Sequence, residues 1–430
     1  MSSNNCPVVK IGLLGYGTVG SGTYRMLADN IDEISRKSGC QIEVKKIGIL
    51  DADKKRDLPC EMFTTDLASI VDDPEIQVIL ELIGGENPAC ELVERALANG
   101  KHIVTANKEL IAKHGSRLTA IAHSKSLDLH FEAAVGGGIP IVQPMKHQLA
   151  GNDVLRIMGI LNGTTNHILT EMRTKGAAFA DALKAAQDAG YAEADPTNDV
   201  DGFDTMYKIA ILAGIAFGGQ VPLENIHREG IRGVSAADFK YADALGYTIK
   251  LLGICDELAP GKILIRVHPT LIKKSHQLAS VEGVYNALWL HGDFVGDLMF
   301  SGRGAGASPT ASAVVGDLID VARSLRANGT HSAIPYGETI EALSMSNLTS
   351  RYYIRLRVVD KPNTLGRIST MFGLHEVGLA AMEMRVLDEG LGEIAFLTHL
   401  CNEQDFTSAL DKVRAESVVD EVSSWMRVED

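Results

Sequence analysis

The sequence predicts an α/β fold that opens on a doubly wound parallel sheet and runs on into further domains. Three observations carry this expectation. A β-branched apolar run near the N-terminus ends in the glycine spacing GxGxxG. Strand-like and helix-like stretches then alternate through the first third of the chain. At 430 residues the chain also exceeds what one hydrophobic core usually supports, so two or three domains are expected.

The first element is "VVKIGLLGYGTVGSGTYRMLADN". Val8 to Leu14 read as a buried strand. Gly15, Gly17 and Gly20 follow in the spacing that allows a tight turn, a pyrophosphate close to the backbone and a helix packed on the strand. Thr18 and Val19 open that helix, so these five residues are candidate cofactor contacts. "IEVKKIGIL" and "IQVILELIGG" read as strands, "ACELVERALANG" as an amphipathic helix ending on Gly100, "KHIVTANK" as a strand and turn, and "LDLHFEAAVGGG" as a strand into a glycine loop. The ligand crevice of such a Rossmann-type sheet lies at the carboxyl ends of its strands. Gly84 and Gly85 of "LIGG" and Thr105 and Lys108 of "TANK" fall there, as cofactor contacts or as plain turns. The form of the nicotinamide stays open. Asp51, later than the usual interval, suits a ribose 2′-hydroxyl and hence NAD, whereas Lys54, Lys55 and Arg56 suit the 2′-phosphate of NADP.

From Val142 the composition shifts, and "LNGTTNHILTEM" reads as a turn and a helix with Asn and Thr caps. An acidic loop follows, "AGYAEADPTNDVDGFDTMYK", with Glu193, Asp195, Asp199, Asp201 and Asp204 ahead of Lys208. A calcium loop is excluded, because that register puts Lys208 where the bidentate Glu belongs. Interleaved Tyr191, Phe203, Met206 and Tyr207 argue against a plain solvated linker. Asp204 and Lys208, at i and i+4, share a helix face. An exposed pair of this kind is worth only about 0.3–0.5 kcal/mol, so structure alone hardly needs it, and composition does not separate a surface pair from one that lines a cleft.

The stretch from Ala186 to Lys208 resembles, position by position, the signature of homoserine dehydrogenase. "GYGTVG", "ELIGG", "GKHIVTANKELIA", "EAAVGGGIPI", "GILNGTTNHILTEM" and "GRGAGASPTASAVVGDLID" are similar to the same family in its order, over roughly residues 8 to 330. The resemblance implies NAD(P)H-dependent, reversible reduction of L-aspartate 4-semialdehyde to L-homoserine, on the route to threonine, methionine and isoleucine. It implies Lys208 as proton donor with Lys108 as a second candidate. It also implies Glu193, Asp199, Asp204 and Thr164 around the substrate, Gly306 beside the nicotinamide, and a sodium ion held by Glu132 with the carbonyls of Val135, Gly137 and Ile139. A preorganised ammonium suits the reaction, since hydride arriving at an aldehyde carbon leaves negative charge on oxygen. Each lysine and burial lower the other lysine's pKa while the carboxylates raise it. Another nicotinamide oxidoreductase on the same fold, or a noncatalytic amino-acid sensor, are the competing readings; the full acidic signature disfavours the first and the presence of both lysines the second.

After "LRANGTHSAIPYGETIEALSMSNLTS", read as a linker with a short helix, the chain restarts as "RYYIRLRVVDKPNTLGRISTMFGLHEVGLAAMEMRV". This reads as strand, turn at Asp360 to Asn363, helix and strand, then "GEIAFLTHL" and a last helical stretch. It resembles an ACT domain, with Asn363 where many such sequences have Gly, and implies feedback inhibition by L-threonine or a role in assembly alone. The expected organisation is therefore a Rossmann-type domain over 1–140 completed by 302–330, an α+β catalytic and dimerisation domain over 141–330, a linker over 331–349, and a ferredoxin-like ACT domain over 350–430. A homodimer or homotetramer is expected, and nothing in the chain resembles an aspartokinase.

Composition bounds the partners. The formal charge of -14 opposes a phosphate backbone and argues against nucleic acid. "MSSNNCPVVK" lacks a signal peptide's basic flank and "IAILAGIAFGG" is too short to span a bilayer, so a cytoplasmic protein is expected, without membrane partners. Cys6, Cys40, Cys60, Cys90, Cys255 and Cys401 form no CxxC pair, which suggests reduced thiols rather than zinc or disulfides.

Overall fold

The computed structural model describes residues 7–327, 329, 340–387 and 390–430. Its first sheet uses β1 (Val8–Leu14), β2 (Gln41–Gly48), β3 (Phe63–Thr64), β4 (Val78–Glu81), β5 (His102–Thr105) and β6 (Leu129–His130). All six pair in parallel, in the order β3-β2-β1-β4-β5-β6. The order reverses between β1 and β4, which opens a crevice at their carboxyl ends. The connections are α1 (Thr18–Asp29), α2 (Ile31–Ser38), α3 (Leu67–Asp72), α4 (Ala89–Ala98) and α5 (Lys108–Ser124). Side chains supply caps where the sequence offers them: Asp66 accepts from the Ser69 N–H at 3.1 Å and Asn107 from the Leu110 N–H at 3.1 Å. β4 and β6 are shorter than the expected strands, and a 3-10 turn over Glu132–Ala134 takes the rest of "HFEAAV".

The middle of the chain comprises α6 (Val142–Lys146), β7 (Val154–Ile160), α7 (Gly163–Lys175), α8 (Phe179–Asp188), α9 (Thr197–Val200), α10 (Phe203–Phe217), β8 (His227–Arg228), α11 (Ala236–Ala244), β9 (Tyr247–Ala259), β10 (Lys262–Lys273), β11 (Tyr285–Gly292) and β12 (Gly296–Arg303). β7, β9, β10, β11 and β12 form an antiparallel sheet on which α10 lies. α10 is apolar almost all round, as its mostly buried "KIAILAG" requires. α12 (Ala307–Arg326) then crosses back, and its Val314, Val315, Leu318 and Val321 share one core with Val9, Ile11 and Leu13 of β1.

The last unit is β14 (Thr349–Val359), α13 (Thr364–Leu374), β15 (Leu379–Val386), β16 (Leu391–Thr398), α14 (Glu403–Arg414) and β18 (Val419–Glu429), preceded by the short β13 (Glu341–Ala342) and interrupted by the short β17 (Cys401–Asn402). Its strand order β18-β14-β16-β15 is that of a βαββαβ sandwich with both helices on one face. β18 also pairs in parallel with β10, from Thr270↔Arg427 to Ile272↔Glu429, so the two sheets are continuous. The expected linker lies partly outside the described residues, as does Cys6. Its described end pairs β13 with β10 and makes a 3-10 turn at Met345–Asn347, and the short helix expected within the linker is not found among its described residues. Asn363 precedes α13 with φ +69°, a left-handed conformation that Asn adopts more readily than most non-glycine residues.

Candidate active site

The crevice between the first sheet and α10 holds about 420 Å³. Val19, Gly84, Gly85, Asn107 and Lys108 line it from the first sheet; Asn198, Asp199, Asp204, Tyr207 and Lys208 face them; Gly137 and residues 304–306 close one side.

Backbone geometry leaves the β1–α1 turn open to a phosphate. Gly15 has φ +102°, and a Cβ there would stand 2.6 Å from the Leu82 carbonyl oxygen; a Cβ on Gly20 would stand 2.1 Å from the Gly15 carbonyl oxygen. A Cβ on Gly17 would meet nothing within 4 Å. Gly17 precedes α1, whose first N–H groups receive no side-chain cap. Those donors and the space over Gly17 fit a pyrophosphate. Thr18 is exposed and Val19 partly so at the crevice edge. Near β2, Asp51 is spent on the Asp53 N–H at 2.9 Å, and Arg56 folds back on the Lys54 carbonyl at 2.6 Å with its guanidinium over Phe63. Lys54, Lys55 and Arg56 line a second, open cleft.

Glu81, at the end of β4, is buried, and its carboxylate accepts from the Ile83 N–H at 2.9 Å, the Gly84 N–H at 3.2 Å and the Thr105 hydroxyl at 2.5 Å. Burial pushes its pKa up against those bonds. Thr105 in turn accepts from the Asn107 N–H, and the Asn107 amide donates to the Gly85 carbonyl at 2.6 Å. Thr105 thus sits beneath the crevice and fixes "LIGG" to "TANK".

Across the crevice Asp204 lies between two ammonium groups. Its Oδ2 accepts from Lys208 Nζ at 2.7 Å, and its Oδ1 is ion-paired with Lys108. Lys208 is buried and donates a second bond to the Leu161 carbonyl at 2.7 Å. Burial, helped by Lys108, holds the Lys208 pKa below the ordinary lysine value although Asp204 opposes this. Lys108 behaves oppositely: Asp204 raises its pKa more than burial lowers it. Burial alone would raise the Asp204 pKa, but the two ammonium charges hold it below the carboxylate range. Asp199, also largely buried and beside Asp204, is raised.

Asn162 ties these carboxylates together. Its side-chain amide donates to Asp199 Oδ1 at 2.7 Å and to Asp204 Oδ2 at 2.8 Å, while its Oδ1 caps α7 through the Thr165 N–H at 2.8 Å. Its cap role was visible in "LNGTT"; the bridge, to residues far along the chain, was not. Glu193 and Thr164 stand outside the crevice lining. Glu193 is exposed, and the Thr164 hydroxyl donates to the Tyr191 carbonyl at 2.8 Å. Gly306 opens α12 at the crevice, with φ +119°.

Both Glu132 oxygens are occupied: Oε1 accepts from the N–H groups of Ile141 and Val142, and Oε2 from that of Gln143. Burial and the neighbouring Asp317 raise its pKa. Among the described residues no N–H donates to the carbonyls of Val135, Gly137 or Ile139 in the adjoining loop. Oxygen donors of this kind are the chemistry a hard cation of low charge takes; no group of three His, Cys, Asp or Glu side chains among the described residues is placed to hold a metal. No described helix is long and apolar enough to cross a membrane.

Residues 15–132 match the family model for the NAD binding domain of homoserine dehydrogenase, and residues 140–319 that for homoserine dehydrogenase. The homoserine dehydrogenase of Synechocystis sp. is 46% identical over 98% of this chain and 99% of its own, and that of Neisseria gonorrhoeae 44% identical over 98% of each. A crystal structure of a homoserine dehydrogenase from Thiobacillus denitrificans superposes with a TM-score of 0.93 at 42% identity, covering 99% of both chains. A hyperthermophilic archaeal homoserine dehydrogenase in complex with NADPH gives 0.63 at 27% identity, covering 74% of this chain and 98% of its own.

Proposed function

The chain belongs to the homoserine dehydrogenase family, a family of oxidoreductases with a nicotinamide-binding domain, and from that premise we propose how its crevice carries the reaction. The observation that carries the proposal is the Lys108–Asp204–Lys208 arrangement in a crevice that Val19, just after the glycine turn, also lines.

Held over Gly15, Gly17 and Gly20, a nicotinamide cofactor would supply the hydride acceptor for L-homoserine or the hydride donor for L-aspartate 4-semialdehyde. Lys208 moves the proton: as the neutral amine it takes the hydroxyl proton of homoserine, and as the ammonium it returns a proton to the aldehyde oxygen in the reverse direction. Its lowered pKa supports that role, because an acid–base group works best when its pKa lies nearer the working pH. Lys108, held charged by Asp204, stabilises the developing alkoxide. Asp199 and Asp204, aligned by Asn162, hold the substrate's amine end, with Glu193 and Thr164 outside the crevice lining.

Glu132 and the carbonyls of Val135, Gly137 and Ile139 would hold a sodium ion, whose charge offsets the buried Glu132–Asp317 pair. Lys54 and Lys55 beside the open cleft favour NADP, the form with which the archaeal relative was solved, while Asp51, the residue that would favour NAD, is already bonded to the Asp53 N–H. The βαββαβ unit is read as an ACT domain that takes L-threonine in the cleft of about 180 Å³ beside Asp360 and Asn363. Its edge strand β15, with exposed Met382, Met384 and Val386, suits assembly into a homodimer or homotetramer.

Homoserine-dependent reduction of NAD and of NADP, each with and without threonine, tests this reading. Activity with either cofactor is expected, reduced by threonine; no activity with either rejects the proposed chemistry, and indifference to threonine rejects the effector.

A further inference from the structure

β18 reaches the acidic loop by a side-chain contact, the Arg427–Glu229 ion pair, besides its backbone pairing with β10. Arg427 on β18 is almost fully buried. Its Nε donates to Glu403 Oε2 at 3.0 Å, within the same unit, while its Nη1 donates to Glu229 Oε1 at 2.9 Å, in the catalytic domain. Glu229 is anchored at its backbone, whose N–H donates to the Val267 carbonyl at 2.7 Å, and its Oε1 is also 2.6 Å from His227 Nε2.

The residues that follow and precede Glu229 grip the junction of α9 and α10. The Arg228 guanidinium donates to the Asp201 carbonyl and lies 3.5 Å over the Phe203 ring. The Ile231 N–H donates to the Val200 carbonyl at 2.8 Å, and Arg232 Nε donates to Asp201 Oδ1 at 2.6 Å. Gly230 fits so closely that a Cβ there would stand 2.3 Å from the Val200 carbonyl oxygen. Asp199 ends one side of this junction and Asp204 begins the other, so a shift of residues 228–232 moves both carboxylates.

We propose that Glu229 and Arg427 are positioning residues through which the C-terminal unit sets the placement of Asp199 and Asp204. The pair touches neither substrate nor cofactor; it fixes segment 228–232 against β18, and that segment fixes the α9–α10 junction. The proposal rests on the assignment of Asp199 and Asp204 to the substrate. Failure of that assignment appears as an unchanged KM for homoserine in Asp199→Asn and Asp204→Asn, whereas failure of this proposal appears as unaltered kinetics in the Glu229 and Arg427 variants while those two substitutions raise KM.

The test is a double-mutant cycle on the full chain, with Glu229→Ala, Arg427→Met and both, reading kcat, the KM for homoserine, the cofactor Kd and the thermal midpoint. Coupling through packed contacts predicts a KM for homoserine raised by about twofold to thirtyfold in each single variant. Cofactor Kd should stay unchanged, and the double variant should be no worse than the weaker single. Glu229→Gln, which keeps an acceptor for Arg427, should recover most of the loss. Tyr353→Phe is the control: it cuts a 3.1 Å bond from the same unit to Asp238 of α11 while leaving the Glu229–Arg427 pair intact, and should leave KM unchanged. An unchanged KM in Glu229→Ala overturns the proposal, whether or not Arg427→Met folds. So do additive effects in the cycle, or a KM that rises equally in Tyr353→Phe.

Discussion

Lys208 Nζ and Asp204 Oδ2 lie 2.7 Å apart, one helical turn from each other on α10, and both side chains are buried. An exposed pair at this spacing would add a few tenths of a kcal/mol. Here the same carboxylate also pairs with Lys108, so one anion serves two cations and Lys208 is left the more easily deprotonated.

Lys208→Ala should therefore lower turnover by about 10²- to 10⁴-fold, the usual worth of a positioned acid–base group. Cofactor binding, measured by nicotinamide fluorescence, should change little because the glycine turn is untouched. Turnover within a few-fold of the parent would remove Lys208 from the chemistry.

The pH profile carries a sign. With Lys208 as the proposed base, homoserine oxidation calls for its neutral amine, so kcat/KM should climb with pH through a Lys208 pKa held below the ordinary lysine value and then level off. Asp204 raises that pKa and Lys108 lowers it. Asp204→Asn should move the rising limb to lower pH and Lys108→Met should move it to higher pH. A limb that stays in place in both variants belongs to another group.

Much of this was legible from local pattern. The glycine turn, the parallel strands and the Asp204–Lys208 pair are each encoded within a few residues, so spacing predicts them. What spacing does not hold is contact between distant segments. The Asn162 bridge joins α7 to α9 and α10, and Glu81 joins β4 to Thr105. β18 pairs with β10 across more than a hundred residues of chain. The opposed pKa shifts of the two lysines follow from burial, and burial follows from packing.

Asn162 can be divided into its two tasks by substitution. Asn162→Ala loses both the helix cap, worth about 0.5–2 kcal/mol, and the bridge to the carboxylates. Asn162→Ser keeps a capping oxygen for the Thr165 N–H but cannot reach both Asp199 and Asp204. Asn162→Ser should hold the thermal midpoint near the parent while raising the KM for homoserine; a normal KM would show that the carboxylates are aligned without the bridge.

The glycines of the first turn differ in what they accommodate. Gly20 faces the protein, where a Cβ would collide with the Gly15 carbonyl, so Gly20→Ala should distort the turn and lower both thermal stability and cofactor affinity. Gly17 faces open space, so Gly17→Ala should leave the unliganded protein as stable as the parent. Its methyl would occupy the approach of the pyrophosphate, and cofactor Kd should rise by about tenfold or more, the cost of losing roughly one charge-assisted hydrogen bond. Calorimetry and cofactor titration of the two variants separate these outcomes. Equal cofactor affinity in Gly17→Ala and the parent would mean that the phosphates bind elsewhere than over the start of α1.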